Sequence, residues 1–340
     1  MKVVITGGTG FLGQLLARRL LEIGELTAPS GSSEAIDSLL LFDALAPGPG
    51  ALVDPRVQTV LGNIANRELV ASLIDRDDVS VFHLASTLSA GSELDFDAAI
   101  STNLDGSRAV LEACRARRSQ PRLVFSSTIV TFGGVDPDDV VSDATKFTPE
   151  TTYGTTKAVT ELLVNDYTRK GFLDGRCARL PTVVIRPGQP NSAASSWVSG
   201  VFREPLNGEE CVVPVPPELR VPIAGYRSVI ENLVALHELD ADLLGGDRGL
   251  NLPALDPSVE EMVASLRRAA DRSLGPISLR PDPLTVAFFE GWARHSDFSR
   301  ASALGLRGDE SVDAIVRSYI EDFLAVPVGK VVAGGDPRKP

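Results

Sequence analysis

The chain starts with a short β-branched run that passes directly into a glycine-rich turn and then into a helical pattern. Lys2–Thr6 is typical of a buried parallel strand. Gly7, Gly10 and Gly13 follow at G-x-x-G-x-x-G spacing, and apolar residues then recur at helical spacing up to Gly24. Such glycines permit a tight turn and a close approach to a pyrophosphate, and the helix N-terminus supplies unpaired N–H groups. The sequence therefore predicts a strand–turn–helix unit that binds a dinucleotide.

A second apolar strand, Ser38–Asp43, ends in a carboxylate that is suited to reading the ribose of such a cofactor. Asp43 can accept hydrogen bonds from both hydroxyls of the adenosine ribose and would repel a 2′-phosphate. Residues 44–46 contain no arginine, so NAD is favoured over NADP. The alternative for Asp43 is an ordinary turn residue at the end of a strand. Residues 27–35 are rich in Pro, Ser and Gly and predict an inserted surface loop before this strand.

Tyr153 and Lys157 stand four residues apart, which places a phenol and an ammonium side by side on one face of a helix. A neighbouring positive charge favours the phenolate and lowers the pKa of a tyrosine from its usual value near 10. Alone, such a pair is common on solvated helices, but here it follows a predicted cofactor site. Thr128 ends another predicted strand, where its hydroxyl can orient a reacting oxygen. These three residues are the candidate catalytic group, with Tyr153 as general base.

Strand and helix patterns alternate along the first half of the chain. Further strands are predicted at 58–64, 79–85, 123–128 and 177–186, and a long helix at 96–118. Asn63, in the first of these strands, is placed to contact an adenine edge. The alternation predicts an α/β fold with a Rossmann-type, doubly wound parallel sheet, whose ligands lie beyond the carboxyl ends of the strands.

Two structural units are predicted from the course of the chain. Residues 1–186, with a later return segment near 223–252, form the predicted NAD-binding domain. A stretch rich in Pro, Gly and Ser begins at Pro187, so residues 187–222 and 253–325 are expected to form a smaller C-terminal substrate-binding lobe. Residues 326–340 show no periodicity and are predicted to be a mobile tail.

Composition limits the class of partner. The 340 residues carry a formal net charge of −12 with a pI near 4.8, which argues against nucleic acid or an anionic membrane as partner. The three cysteines and three histidines lack the spacing of a disulfide framework or a zinc site, so a reduced, metal-free protein is expected. The first strand begins at Lys2 and no apolar run approaches the length of a membrane span. A cytoplasmic location is therefore predicted.

Taken together, these motifs resemble the extended short-chain dehydrogenase/reductase superfamily, also described as the NAD-dependent epimerase/dehydratase superfamily. The resemblance covers nearly the whole chain and rests on TGGTGFLG at 6–13, Asp43, HLA at 83–85, Asn103, SST at 126–128 and the Tyr153/Lys157 pair. More narrowly, residues 163–172, 179–188, 190–196 and 203–210 resemble its D-erythronate dehydrogenase branch. That resemblance implies NAD-dependent oxidation of the 2-hydroxyl of a short aldonate, D-erythronate, to 2-oxo-erythronate.

The resemblance also implies further positions that hold the cofactor. They lie around the glycine turn, at the ends of central strands, on the long helix and after the sixth strand: Phe11, Leu12, Ile64, Leu84, Ala85, Asn103, Pro181 and Thr182. Asn103 is expected either to anchor a water or main-chain group behind Lys157 or to make a structural hydrogen bond. His83 is expected to pack near the cofactor in a structural role.

A polyol acid as substrate needs partners for its hydroxyls and for its carboxylate. The predicted hydroxyl contacts are Ser86, Thr87, Ser127, Thr128 and Tyr153. The candidates for the carboxylate are the loop at Asn191 and three arginines, Arg186, Arg203 and Arg227. A structural ion pair is favoured for Arg186 and Arg203, whereas both interpretations stay open for Arg227.

Other functions of the same fold compete with this interpretation. A nucleotide-sugar epimerase shares the Thr/Tyr/Lys set but needs a large pocket for a nucleoside diphosphate. A non-catalytic NAD-sensing protein would have no need of the intact set. A 4,6-dehydratase is excluded because Ile129 and Val130, which follow Thr128, cannot move protons. The helix from Phe96 and the helix that carries Tyr153 are expected to pair across a two-fold axis, so a homodimer is predicted.

Overall fold

A computed structural model describes residues 1–324, apart from residues 49, 135, 137, 191–194 and 293–294 and the side chain of Glu290. The predicted tail, residues 326–340, lies outside the described residues. The strands are β1 (Lys2–Thr6), β2 (Glu25–Thr27), β3 (Ser33–Ala35), β4 (Ser38–Asp43), β5 (Val57–Leu61), β6 (Val79–His83), β7 (Arg122–Thr128), β8 (Val140–Val141), β9 (Asp174–Leu180), β10 (Thr182–Val184), β11 (Cys211–Val213), β12 (Ile223–Gly225), β13 (Gly249–Asn251), β14 (Ile277–Leu279) and β15 (His295–Ser296).

Helices occupy most of the connections between these strands. They are α1 (Phe11–Ile23), α2 (Arg67–Leu73), α3 (Ser89–Leu94), α4 (Phe96–Ala99), α5 (Gly106–Arg115), α6 (Thr152–Arg169), α7 (Ser196–Leu206), α8 (Tyr226–Glu238), α9 (Ala241–Leu244), α10 (Val259–Ala269), α11 (Pro283–Glu290), α12 (Ser299–Ala303) and α13 (Val312–Tyr319). Among the helices of the described segments, none is both long and apolar enough to cross a membrane.

Seven strands form one parallel sheet in the order β13-β9-β7-β6-β1-β4-β5. Both faces of β1 are buried, because Val3 and Ile5 pack into one core with α1 and α8 while Val4 packs into another with α2, α5 and α6. The predicted Rossmann-type, doubly wound parallel sheet is thus confirmed. The chain runs outward from β1 to β5 and then returns to the other side of β1, so a crevice opens at the carboxyl ends of β1 and β6.

The predicted strand at 177–186 is wrong in its second half. β9 ends at Leu180 because Pro181 has no N–H to donate to the sheet. The chain then leaves the sheet, and β10 pairs in parallel with β12 instead. The predicted loop at 27–35 is part of an antiparallel hairpin of β2 and β3. The strands predicted at 58–64 and 79–85 end earlier, at Leu61 and His83.

The long helix predicted at 96–118 is observed as α4, a wider helical turn and α5, which ends at Arg115. The turn at Ile100–Asp105 has π-helical hydrogen bonding, a form that is frequent at functional sites. It holds Asn103, whose residue surface is only 3% exposed. This turn therefore directs a polar side chain into the protein beside α6, which it contacts.

A third hydrophobic core lies beyond the sheet. Its buried members run from Val184 to Ile320 and include residues of α7, α10 and α13. Phe11 and Leu12, at the start of α1, pack against it as well. This third core therefore reaches the glycine turn, which puts the crevice between the sheet and the C-terminal part of the chain.

Candidate active site

Two close approaches of the main chain shape the turn between β1 and α1. Gly7 has a φ of 71°, and a Cβ there would lie 2.9 Å from the Ala85 nitrogen. A Cβ on Gly13 would lie 2.3 Å from the Gly7 carbonyl oxygen. Gly10 precedes α1 in an extended conformation, and no side chain caps the helix there. The N-terminus of α1 therefore presents its first N–H groups to the crevice, as an anion site requires.

Asp43 lies beside this turn, at the carboxyl end of β4. Its Oδ2 accepts a hydrogen bond from the Thr9 nitrogen at 3.1 Å, and its Oδ1 accepts one from the Ala44 nitrogen at 2.8 Å. Thr9 donates its own hydroxyl to the Leu45 carbonyl oxygen at 3.0 Å. The carboxylate is thus fixed next to the glycines. Its hydrogen bond from Ala44 is also one that an ordinary turn residue at the end of a strand makes.

The other residues expected near the adenosine differ in how far their side chains are exposed. Asn63 is exposed, and its Oδ1 accepts a hydrogen bond from the Ala65 nitrogen at 2.9 Å. Ile64 is 5% exposed and packs in the core. The nitrogens of Leu84 and Ala85 donate to the main-chain oxygen and the hydroxyl of Thr6, at 3.0 and 3.3 Å. The ends of β1 and β6 are therefore tied together at the crevice.

Tyr153 and Thr128 meet at the end of β7. The hydroxyl of Thr128 lies near the phenol of Tyr153 and opposes the burial that raises the pKa of Tyr153 to about 12. The approach of α6 to the turn after β7 depends on Gly154, because a Cβ there would lie 2.5 Å from the Val130 carbonyl oxygen. Two members of the candidate catalytic group are thus close neighbours.

Lys157 lies one helical turn further along α6 and is 3% exposed. Its Nζ donates to the Ser126 carbonyl oxygen at 2.7 Å and lies 5.6 Å from the centre of the Tyr153 ring. Burial lowers the pKa of Lys157 to about 7, against an opposing effect of the nearby Glu161 carboxylate. Burial has the largest effect on the pKa of Tyr153 in this structure, and the lowering expected from Lys157 together with a bound nicotinamide stays a prediction. The ammonium thus donates its hydrogen bond to the strand rather than to the phenol.

His83 and Asn103 both make structural hydrogen bonds. His83 is 1% exposed; its Nδ1 is 2.6 Å from the Thr6 hydroxyl and its Nε2 is 2.9 Å from the Ser107 hydroxyl. Burial lowers the pKa of His83 to about 3, so the imidazole is neutral at pH 7. Asn103 Oδ1 accepts from the Thr87 nitrogen at 2.7 Å, and its Nδ2 donates to the Thr156 hydroxyl at 3.3 Å. Asn103 therefore joins the segment after β6 to α6, directly before Lys157.

The predicted hydroxyl contacts fall into two groups. Ser86 donates to the Thr87 carbonyl oxygen and to Asn103 Oδ1, each at 3.1 Å, and Ser86 and Thr87 are half-buried at the crevice. Ser127 is 1% exposed, and its hydroxyl donates to Glu161 in the interior. Ser86 and Thr87 therefore lie at the site. The Ser127 hydroxyl instead bonds to Glu161 in the interior, so the expected contact between Ser127 and a substrate is wrong.

The three candidate arginines differ in their partners. Arg227 is paired with Asp322 at 2.5 Å and with Glu321 at 3.0 Å, so the interpretation that stayed open is resolved as an ion pair. Arg203 is paired with Glu204 at 2.5 Å, as expected. Arg186 donates to the Gln189 carbonyl oxygen at 3.1 Å, and within the described segments no carboxylate is paired with it, so the ion pair favoured for Arg186 is not found there. Burial and the neighbouring Arg203 lower the pKa of Arg186.

Two further expected positions follow β9. Pro181 and Thr182 come directly after Leu180, which stands opposite Thr128 in the sheet. They therefore lie at the crevice, next to the catalytic strand. Asn191 lies outside the described residues.

Sequence reasoning missed the buried pair of Glu161 and Arg179, which are 2% and 1% exposed. Arg179 Nη2 donates to Glu161 Oε2 at 2.8 Å, and Arg179 Nη1 lies 3.4 Å from Asp143 Oδ1. A carboxylate four residues after Lys157 on the same helix was the signal that could have found it. Within the described ranges, His, Cys, Asp and Glu form no group that could hold a metal ion.

Comparison with known proteins identifies relatives along nearly the whole chain. The model of the NAD dependent epimerase/dehydratase family matches residues 3–216. The D-erythronate dehydrogenase of Cupriavidus necator is 42% identical over 323 residues, which cover 95% of this chain and 98% of that protein. The D-erythronate dehydrogenase of Haemophilus influenzae is 39% identical, over 94% of this chain and 99% of its own.

A solved structure is similar over the same extent. The crystal structure of the nucleoside-diphosphate-sugar epimerase from Agrobacterium tumefaciens superimposes with a TM-score of 0.87 at 36% identity, and the match covers 95% of this chain and 94% of that one. The fold and the order of its elements are therefore shared with proteins that are named for two different reactions.

Proposed function

This chain belongs to the NAD-dependent epimerase/dehydratase family, and we propose that it oxidises the 2-hydroxyl of a short aldonate, D-erythronate, to the 2-oxo acid with NAD. It is an oxidoreductase that acts on a CH–OH group of a small molecule and uses a nicotinamide cofactor. The observation that carries the proposal is the proximity of Thr128, Tyr153 and Lys157, combined with the 42% identity to a D-erythronate dehydrogenase.

The residues at the glycine turn fit a dinucleotide. Any side chain at Gly7 or Gly13 would collide with main-chain atoms, so the turn stays open to a pyrophosphate. Asp43 is the proposed partner of the adenosine ribose, which supports NAD over NADP. Tyr153, Lys157 and Asn103 border the site of the nicotinamide half. Oxidised NAD, when bound, supplies the hydride acceptor and a positive charge.

The chain's own side chains account for the handling of the proton. Thr128 would donate its hydroxyl to the reacting oxygen or accept from it, which orients that oxygen toward Tyr153. The Tyr153 phenolate would then take the alcohol proton as general base. Lys157, when protonated, favours the phenolate electrostatically. Ser86 and Thr87 are the proposed contacts to the remaining hydroxyls of the acid.

Arg186 is the proposed partner of the substrate carboxylate. Support comes from the other two arginines, since the charges of Arg203 and Arg227 are balanced by neighbouring carboxylates. A half-buried guanidinium beside a second one is electrostatically unfavourable alone, and an anionic ligand would relieve that cost. Arg186 also follows the segment that leaves the catalytic edge of the sheet.

An activity screen tests the proposed reaction. Aldonates of three to six carbons would be mixed with NAD, or with NADP for comparison, and NADH formation followed by absorbance. We expect turnover with D-erythronate and NAD, and weaker turnover with acids that are longer or shorter. Absence of turnover with every acid would overturn the proposal.

A nucleotide-sugar epimerase is the second candidate, because a solved relative at 36% identity carries that name. Such an enzyme would bind a UDP-sugar and interconvert its epimers without net formation of NADH. Binding of UDP-glucose or UDP-galactose, measured by calorimetry on the same preparation, would favour it. Aldonate turnover without UDP-sugar binding would exclude it.

Three further features belong to the proposal. A homodimer in which α5 and α6 pair across a two-fold axis is supported by Leu162 of α6, which is 58% exposed, and is tested by light scattering.

A cytoplasmic location is supported by three cysteines that are free and buried in the described residues. The division into an NAD-binding domain and a substrate-binding lobe is supported by the separate C-terminal core.

A further inference from the structure

Glu161 connects the catalytic helix to the catalytic strand from inside the protein. It lies one turn after Lys157 on α6 and is 2% exposed. Its carboxylate accepts a hydrogen bond from the Ser127 hydroxyl and two short ones from Arg179, at 3.0 Å from Nε and 2.8 Å from Nη2. A buried carboxylate with this set of donors is held in one position.

Two contacts therefore fasten the end of β7 to α6. Lys157 Nζ donates to the Ser126 carbonyl oxygen at 2.7 Å, and Ser127 donates to Glu161. The next residue of the strand, Thr128, carries the hydroxyl that meets Tyr153. A shift of β7 against α6 would change the distance between these two hydroxyl groups, so the contact with Glu161 helps to set it.

Glu161 is also the negative charge that acts on Lys157. The groups that face this ammonium are Tyr153 on α6, His83 on β6 and Cys177 on β9. Burial keeps all three uncharged at neutral pH, since it raises the pKa of Tyr153 and Cys177 and lowers that of His83. The Glu161 carboxylate opposes the burial that lowers the pKa of Lys157. Burial raises the pKa of Glu161 itself and Arg179 opposes that rise, so the ionised Glu161 that Arg179 favours supports the charge of the ammonium.

Arg179, the positive partner of Glu161, also lies near a second carboxylate. Arg179 stands opposite Ser127 in the sheet, and its Nη1 lies 3.4 Å from Asp143 Oδ1. Its guanidinium also lies over the rings of Phe132 and Phe147, at 5.3 and 4.9 Å from their centres. Arg179 thus holds Glu161 while sharing its charge with a second carboxylate.

We propose that Glu161, held by Arg179, is a positioning residue that keeps Lys157 protonated and keeps Thr128 in register with Tyr153. Only the kinetic part of this inference rests on the proposed function. A purely structural ion pair would stabilise the fold without affecting the ionisation of Lys157, and this difference makes the two roles separable.

The first test reads the ionisation of Lys157 without any substrate. The chain has six lysines, so NMR spectra of protein labelled at the lysine side chains are simple, and K157R identifies the signal. We expect Lys157 in E161Q to lose its proton at a lower pH than in the wild type. S127A is the matched control, because it removes a hydrogen bond of Glu161 but no charge, and it should leave the titration in place. Equal titration of E161Q and wild type would overturn the proposal.

The second test is the pH profile of kcat. In E161Q the alkaline limb should move to lower pH, with a loss of about tenfold in kcat at pH 8 for each unit by which it moves. S127A should lower kcat without moving that limb. An inactive wild type would overturn the proposed reaction and leave the NMR result to decide on Glu161.

Loss of one member of a buried pair can prevent folding, so a second variant is needed. E161Q/R179Q removes both charges and avoids leaving an unpaired guanidinium. If E161Q does not fold, this double variant replaces it in the NMR titration, with a shift in the same direction that is smaller because the positive charge of Arg179 is also removed. If Lys157 in the folded double variant titrates at the same pH as in the wild type, the proposal is overturned.

Discussion

Lys157 donates its hydrogen bond to the carbonyl oxygen of Ser126, 2.7 Å away, while its nitrogen lies 5.6 Å from the centre of the Tyr153 ring. The ammonium is therefore anchored to the strand next to the tyrosine ring. Burial opposes both charged forms, because it raises the pKa of Tyr153 to about 12 and lowers that of Lys157 to about 7. The base depends on its neighbours for its function, and each neighbour is a target for substitution.

The first prediction concerns Tyr153 itself. Y153F removes the proton acceptor but keeps the ring, so kcat should fall by about two to four orders of magnitude while NAD still binds. Turnover would be followed by NADH absorbance and cofactor binding by calorimetry. T128V is the milder companion, because loss of one hydrogen bond should cost about one to two orders of magnitude. Turnover of Y153F near the wild-type rate would remove Tyr153 as the base.

Parts of this site were predictable because their signals are local. The glycine turn and the Tyr153/Lys157 spacing depend on residues close together in the chain, and the helix and strand around them were found with nearly the right bounds. The parallel sheet followed from the alternation of strands and helices.

Other parts depend on partners that are distant in sequence. Ser127 bonds to Glu161, 34 residues away, and Arg227 bonds to Asp322, 95 residues away. No spacing rule connects such residues, so the hydroxyl was expected at the substrate and the arginine was left undecided. Burial, which raises the pKa of Tyr153, is likewise a property of the packed structure that no spacing reveals.

The second prediction concerns the choice between NAD and NADP. D43S should raise the Kd for NAD by about one to two orders of magnitude, because a charged acceptor of two ribose hydroxyls is lost. The Kd for NADP should change less or improve, since the charge that repels the 2′-phosphate is removed. Both constants would be measured by calorimetry. An unchanged ratio between them would show that another residue reads the ribose.

The third prediction separates the arginines. R186M should raise the KM for D-erythronate by about one to two orders of magnitude, because the carboxylate loses a charged partner, while the Kd for NAD stays constant. R227M is the matched control; it breaks the ion pairs with Asp322 and Glu321, so the melting temperature should fall without a comparable change in KM. A rise in KM for R227M alone would reverse the assignment.

The fourth prediction concerns stability in acid. His83 is fully enclosed, and burial lowers its pKa from 6.5 to about 3. Between these pH values the unfolded chain binds a proton at this residue and the folded chain does not. The free energy of unfolding should therefore fall as the pH drops from 6.5 toward 3, by up to about 1.4 kcal/mol per pH unit from this residue. Above pH 6.5 the imidazole is neutral in both states and contributes no slope.

H83Q tests this contribution because glutamine can still bond to the hydroxyls of Thr6 and Ser107 but does not titrate. Urea unfolding at a series of pH values should show a shallower decline for H83Q than for the wild type below pH 6.5. His237 is the second buried histidine with a lowered pKa, so H237Q should flatten the curve by a separate amount. If H83Q keeps the wild-type slope, His83 already carries a proton in the folded protein, and its neutral, structural role beside the cofactor site would have to be abandoned.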